Sequence, residues 1–224
     1  MVLLALISQA DLWHLNVGVV GSYVRYRNEV MLLKASAGLS KKVFPFKYIF
    51  SVSGSYGLTD SVNTENSYRA TANIDYYITP KVELFTMGQW MTDRIANINA
   101  RVLAGGGAKY VFYDNESGEL SISGALLYNY EYRDTLKQNL ARYSFRIKHR
   151  YIPNDFVQLS LVAFYQPSVS DFTNDYWIWG TFEARSRLSK SLFLKLTIND
   201  RYENLTLPRN NLSIAVGFDY SLDF

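Results

Sequence analysis

A chain of 224 residues with 48% hydrophobic content is long enough for one domain with a sizeable buried surface, and 16% of it is aromatic, a composition that favours strands. A net charge of only +3 provides no concentrated basic surface for displacing counterions, so nucleic acid is not an expected partner. The absence of Cys removes disulfides, thiolate nucleophiles and Cys-rich zinc sites, and no apolar run reaches the roughly 20 residues of a membrane-spanning helix, which excludes a helical membrane protein.

Residues 1–10 form a short apolar stretch ending in Ser8-Gln9-Ala10, small residues of the kind a signal peptidase requires, but without a positively charged start. They read as a truncated export leader or as the lead-in to a first strand, and residues 11–224 read as one barrel domain. From Asp11 onward apolar and polar residues alternate with period two, the pattern of strands with one oily and one wet face. The first five segments lie near 12–25, 28–39, 46–57, 66–78 and 81–92. The sixth, near 98–113, contains Gly105-Gly106-Gly107 and Lys109 but has neither the spacing nor the following helix of a phosphate loop. Its glycines read as strand thinning that widens an interior or admits a neighbouring bulky ring.

In the seventh segment, 119–132, Leu120, Ile122, Leu126, Tyr128, Tyr130 and Tyr132 oppose Ser121, Ser123, Asn129 and Glu131. In the eighth, 140–151, Tyr143, Phe145 and Ile147 oppose Arg142, Ser144, Arg146 and Lys148. Segments follow at 156–166 and 175–188. In 191–203, Leu192, Leu194, Leu196 and Ile198 oppose Lys195, Thr197, Asn199, Arg201 and Glu203, with Phe193 alone breaking the wet face. The last, 210–224, places Leu212, Ile214, Val216, Phe218, Tyr220, Leu222 and Phe224 on one parity. Connections alternate in kind. Thr79-Pro80, Asp114 to Gly118, Pro153 to Asp155 and Ser189-Lys190 are expected as tight turns, whereas 57–65, 133–139, 168–174 and 204–210 are expected as longer polar loops.

The expected fold is therefore all-β: a closed, antiparallel, up-and-down transmembrane β-barrel of about twelve strands. A barrel of that width cannot be filled by one alternating apolar face, whereas a polar lumen holds water, so the oily face is expected to meet lipid. Tyr48, Tyr56, Tyr68, Tyr76, Trp90, Tyr110, Tyr151, Tyr165, Tyr176, Tyr202 and Tyr220 fall near strand ends, where amphipathic rings suit the head-group level. A soluble two-sheet sandwich is the alternative, because its strands alternate too.

The glycine-rich strand Arg101-Val-Leu-Ala-Gly-Gly-Gly-Ala-Lys-Tyr110, the Tyr-rich hairpin after it and Arg142-Tyr-Ser-Phe-Arg146 together resemble the salt-induced outer-membrane proteins, a barrel family of undefined function. The resemblance covers roughly Trp13 to Phe224. It implies a bacterial outer-membrane location and a link to salt stress, without a mechanism. The final strand ending in Phe224 resembles the signal read by the barrel-assembly machinery, which this likeness makes an expected partner beside the lipid bilayer.

By parity the lumen receives Arg69, Arg101, Lys109, Arg142, Arg146, Lys148, Arg150, Arg185, Arg187, Lys195 and Arg201, with Asp75, Glu83, Glu131, Glu183, Glu203, Asp219 and Asp223 as its acids. A ladder of cations in a confined channel favours anions, which points to a narrow passive channel for small solutes. The alternative is a closed barrel serving envelope structure or stress adaptation, in which the same charges pair across strands. Glu131 would then face Arg142 or Arg146, and Glu183 would face Lys195. A third possibility is a channel that guides acidic oligosaccharides along the arginines. Enzymatic chemistry is not expected: of the two histidines, His149 lies on the oily parity while Ser144 lies on the wet one, and His14 has no acid near it on its face. No cofactor or metal is expected.

Overall fold

The computed structural model describes residues 13–25, 29–60, 62–95, 97–133, 136–205 and 210–223. They form twelve strands: β1 (Trp13–Arg25), β2 (Glu29–Val43), β3 (Phe46–Thr59), β4 (Val62–Tyr77), β5 (Val82–Asp93), β6 (Ile98–Asn115), β7 (Gly118–Arg133), β8 (Leu136–Asn154), β9 (Val157–Pro167), β10 (Tyr176–Arg187), β11 (Leu192–Glu203) and β12 (Asn210–Asp223). Each pairs antiparallel with its sequence neighbours and β12 returns to β1, closing an up-and-down barrel. Every strand thus has partners on both sides, which replaces the two-sheet alternative with a single closed wall. Residues 1–10 and Phe224 lie outside the described residues.

The barrel is packed inside out. Among the described residues, and apart from Pro167, only five buried side chains are apolar, against thirteen that are polar or charged, while Phe145, Leu194 and Ile214 are among the exposed ones. Arg101 of β6 and Trp177 of β10 are four strands apart in the wall, yet the guanidinium lies 5.8 Å from the indole centroid. Only a shared interior brings those two side chains together, so their parity is the inward one.

The rim carrying the even-to-odd connections is built from tight turns whose backbone is capped locally. The Thr79 hydroxyl accepts from Val82 N, Asn115 Oδ1 from Ser117 N, Asn154 Oδ1 from Phe156 N, and Ser189 Oγ from Leu192 N. Gly118, at φ +147°, follows one of these turns; a Cβ there would come within 2.0 Å of the Arg150 carbonyl oxygen. By its short turns this is the periplasmic rim.

At the opposite rim, two of the expected long loops are instead strand. β3 and β4 are separated only by residues 60–61, and β7 and β8 only by 134–135. Above the membrane both strand faces meet water, so the alternation fades from the sequence while the hydrogen-bond ladder continues. The connection at 168–175 is a loop, pinned on both sides of the wall: Phe172 packs outside on Tyr143 and Tyr165, and Asp175 reaches inside to Arg142.

Outside, the aromatics form two belts. Tyr48, Tyr76, Tyr110, Tyr151 and Tyr220 lie toward the periplasmic rim, and Tyr56, Tyr68, Trp90, Tyr165, Tyr176 and Tyr202 toward the other. Belt partners on β3 and β4 are eight residues apart, which at about 3.3 Å per residue and a tilt of about 35–45° separates the belts by roughly 20 Å. That height matches the apolar band of an outer-membrane barrel.

Candidate functional site

The site is the lumen, and strand parity delivers its side chains. Alternate residues of β6 from Arg101 to Val111 point inward until the register shift between Val111 and Tyr113 turns Tyr113 out, where its hydroxyl meets His149 Nε2 at 3.0 Å.

Most lumenal cations meet a carboxylate. Arg101 pairs with Glu131 at 2.5 Å, and Glu131 also takes Arg133 at 2.9 Å. Glu131 therefore does not meet Arg142 or Arg146. The β7–β8 register places Glu131 opposite Gln138 and Arg142 opposite Leu127, whereas the β6–β7 register puts Arg101 directly across from Glu131. Arg142 pairs with Asp175 at 2.6 Å and donates from Nη1 to the Gln166 carbonyl oxygen at 3.0 Å. Lys148 meets Glu119 at 2.6 Å, Arg150 meets Asp114 at 3.2 Å, Arg185 meets Asp219 at 2.5 Å, and Lys195 meets Glu183 at 3.0 Å. Lys109 pairs with Glu83 and Arg201 with Glu203. Among the described residues, Arg69, Arg146 and Arg187 have no carboxylate within 4.0 Å; Arg146 and Arg187 lie over Phe164 and Phe193 instead.

The lumen is filled unevenly. On the β6–β11 side, toward the extracellular rim, Trp177 receives the guanidiniums of Arg142, Arg201 and Arg101 at 3.9, 5.1 and 5.8 Å from its ring centroid. Beneath it Trp179 stacks on Phe164 at 3.8 Å, and its indole N–H donates to Gln166 Oε1. Each guanidinium is held from behind by an acid, so the cluster is both charge-balanced and rigid. The expected widening at the glycines of β6 does not occur. Leu127 lies over Gly105, and a Cβ on Gly105 or Gly107 would come within 2.2 or 2.0 Å of a β7 carbonyl oxygen. The missing side chains admit an aliphatic group and a close backbone, not a ring.

On the β1–β4 side the inward residues are small, and space is left. A cavity of about 380 Å³ runs along Ser36, Ser53, Ser55 and Ser67, facing Thr181 and Asn199 across the barrel. Its charged lining is Lys34 with Glu65 at 3.8 Å, Lys195 with Glu183, and the unpaired Arg69. The serine wall, Lys34, Glu65, Trp177 and Asp175 are not among the residues that sequence reasoning singles out. Trp177 and Asp175 both share the inward parity of Glu183 and Arg185 within segment 175–188 and are visible in that pattern, although Asp175 itself lies in the loop that precedes β10. Among the described residues no cluster of acids, histidines or cysteines is arranged to hold a metal.

A family described as protein of unknown function, DUF481, matches residues 28–221. That description carries no role in salt stress. No curated protein sequence matches the chain. Among solved structures, an outer membrane channel from Pseudomonas putida F1 is similar at TM-score 0.57 and 11% identity, over 96% of each chain. The KdgM porin in complex with disordered oligogalacturonate is similar at TM-score 0.53 and 13% identity, over 92% of this chain and 99% of the porin. The translocator domain of the autotransporter NalP from Neisseria meningitidis is similar at TM-score 0.53 and 12% identity, over 97% and 92%. At these identities the likeness is one of fold: that of bacterial outer-membrane barrels.

Proposed function

From the premise that the chain belongs to the DUF481 family, whose description assigns no function, we propose on the strength of the lumen that it is a narrow passive channel of the outer membrane for small solutes, with a preference for anions. One observation carries this reading. The cavity along β1–β4 holds five charged side chains, of which four form two neutral pairs, so Arg69 leaves the passage one uncompensated positive charge. In a confined, partly desolvated passage that single charge biases which ion enters. The ladder on β8 contributes through Arg146 alone, because Arg142, Lys148 and Arg150 each sit against a carboxylate.

The test is single-channel recording in a planar bilayer. Wild type is expected to give small stable steps with a reversal potential displaced toward chloride, and Arg69→Gln is expected to move it toward potassium. Absence of steps would overturn the channel and favour a closed barrel of the envelope, a reading supported by the ion pairs and the arginines gathered on Trp177. Passage of acidic oligosaccharides is a narrower version of the channel, supported by the row of lumenal arginines and by the oligogalacturonate complex of the similar KdgM porin. It predicts block by oligogalacturonate and none by a neutral oligosaccharide of equal length. Recognition of the last strand by the barrel-assembly machinery belongs to the same reading.

A further inference from the structure

One row of the lumenal wall stands open to water. The registers of β2, β3 and β4 set Ser36, Ser53 and Arg69 side by side on the inward face, and the row continues to Gly18 of β1, which has no side chain to cover Ser36. Ser36, Ser53 and Arg69 are exposed although they point away from lipid, and all three line the cavity along β1–β4. Arg69 is free because its partners across the two ladders, Ser53 and Met91, carry no acid; among the described residues it forms no ion pair.

The next row toward the extracellular rim sets Lys34, Ser55 and Ser67 across the same strands, with the two hydroxyls 2.8 Å apart. Thr181 and Asn199, bonded to each other at 2.8 Å, face these rows from the opposite wall. Three properties of a fitting ligand follow. Lys34, Arg69 and Lys195 against Glu65 and Glu183 give the lining a net charge of +1, which a monoanion balances and a neutral solute does not. Neighbouring strands are about 4.8 Å apart, so roughly 10 Å separates Arg69 from Ser36, and a ligand engaging the whole row carries its charge at one end of a polar chain. Guanidinium suits a carboxylate by its planar fork, while hydroxyls both donate and accept and so suit other hydroxyls. The volume of about 380 Å³ is near the lower end of small-molecule sites, about 300–1,000 Å³, and holds one sugar-sized unit at a time.

We propose that the row Arg69, Ser53 and Ser36 is a binding site for a polyhydroxy monocarboxylate of one unit, a sugar acid. Its carboxylate accepts from the Arg69 guanidinium, and its hydroxyls exchange hydrogen bonds with Ser53, Ser36 and the serines of the row above. This deepens the channel reading and rests on it for the solute's way in.

The experiment is a ligand-observed NMR titration of the barrel in lipid nanodiscs, with gluconate as the probe. Glucose supplies the hydroxyls without the acid, and acetate the acid without the hydroxyls. The dissociation constant for gluconate is expected to lie at least severalfold below both. Arg69→Gln is expected to raise it roughly tenfold, as the loss of a charge-assisted hydrogen bond does, and to leave that for glucose unchanged. Ser53→Ala is expected to raise it severalfold and to leave that for acetate unchanged. Equal constants for the three solutes, or a gluconate constant that neither substitution moves, overturns the site. Single-channel steps from a barrel that does not prefer gluconate remove the site and keep the channel; gluconate preference in a barrel that gives no steps keeps the site and removes the channel.

Discussion

Arg142 shows what a single lumenal residue does here. It is 3% exposed, paired with Asp175, bonded to the Gln166 carbonyl and laid on Trp177, so it joins a loop, two strands and an indole. Removing one member of so enclosed an ion pair leaves its partner's charge uncompensated, a loss of about 3–5 kcal/mol. Arg142→Gln should therefore lower the unfolding free energy, measured by urea titration in vesicles, by that order, whereas Arg187→Gln, which has no carboxylate to orphan, should leave it nearly unchanged. The parity of these residues is legible in the sequence; apart from Lys195 with Glu183, the partners of the lumenal cations are not. Arg185 reaches past β11 to Asp219 on β12, and Arg101 reaches across the lumen to Trp177, because tilted strands bring together residues that no local spacing relates.

At the level of the strand, β6 is the clearest case of a pattern that is right in kind and wrong in consequence. The glycines do thin the strand, but the room is taken by Leu127 and the β7 backbone, so they tighten the wall and do not widen the pore. Gly105→Val should cost about 1–3 kcal/mol or more through overpacking, measured as a shift in unfolding midpoint. A methyl group on Gly88 would meet no atom within 4 Å, so Gly88→Ala should shift it little. The outward strand faces are governed by lipid instead. Ile147, between the two belts, is exposed on that face, and Ile147→Arg should cost about 2–4 kcal/mol by the same assay. Strand positions are legible to within a few residues because alternation is enforced wherever one face is oily. Beside residues 60–61 and 134–135, where both faces meet water, nothing enforces it, and strand reads as loop.

For the whole molecule, the even strand count and the alternation suffice to specify a closed inside-out wall. What they do not reveal is that its contents are lopsided, with rings and arginines heaped on the β6–β11 side and serines opposite. An off-centre cavity divides the labour of the circumference. On the channel reading, relatives with different cargo should differ first at Ser36, Ser53, Ser55 and Ser67, where one added methylene narrows the cavity, while Trp177 and its attendant cations stay as ballast. On that reading, selectivity can drift along a third of the perimeter without disturbing the masonry that keeps the wall upright.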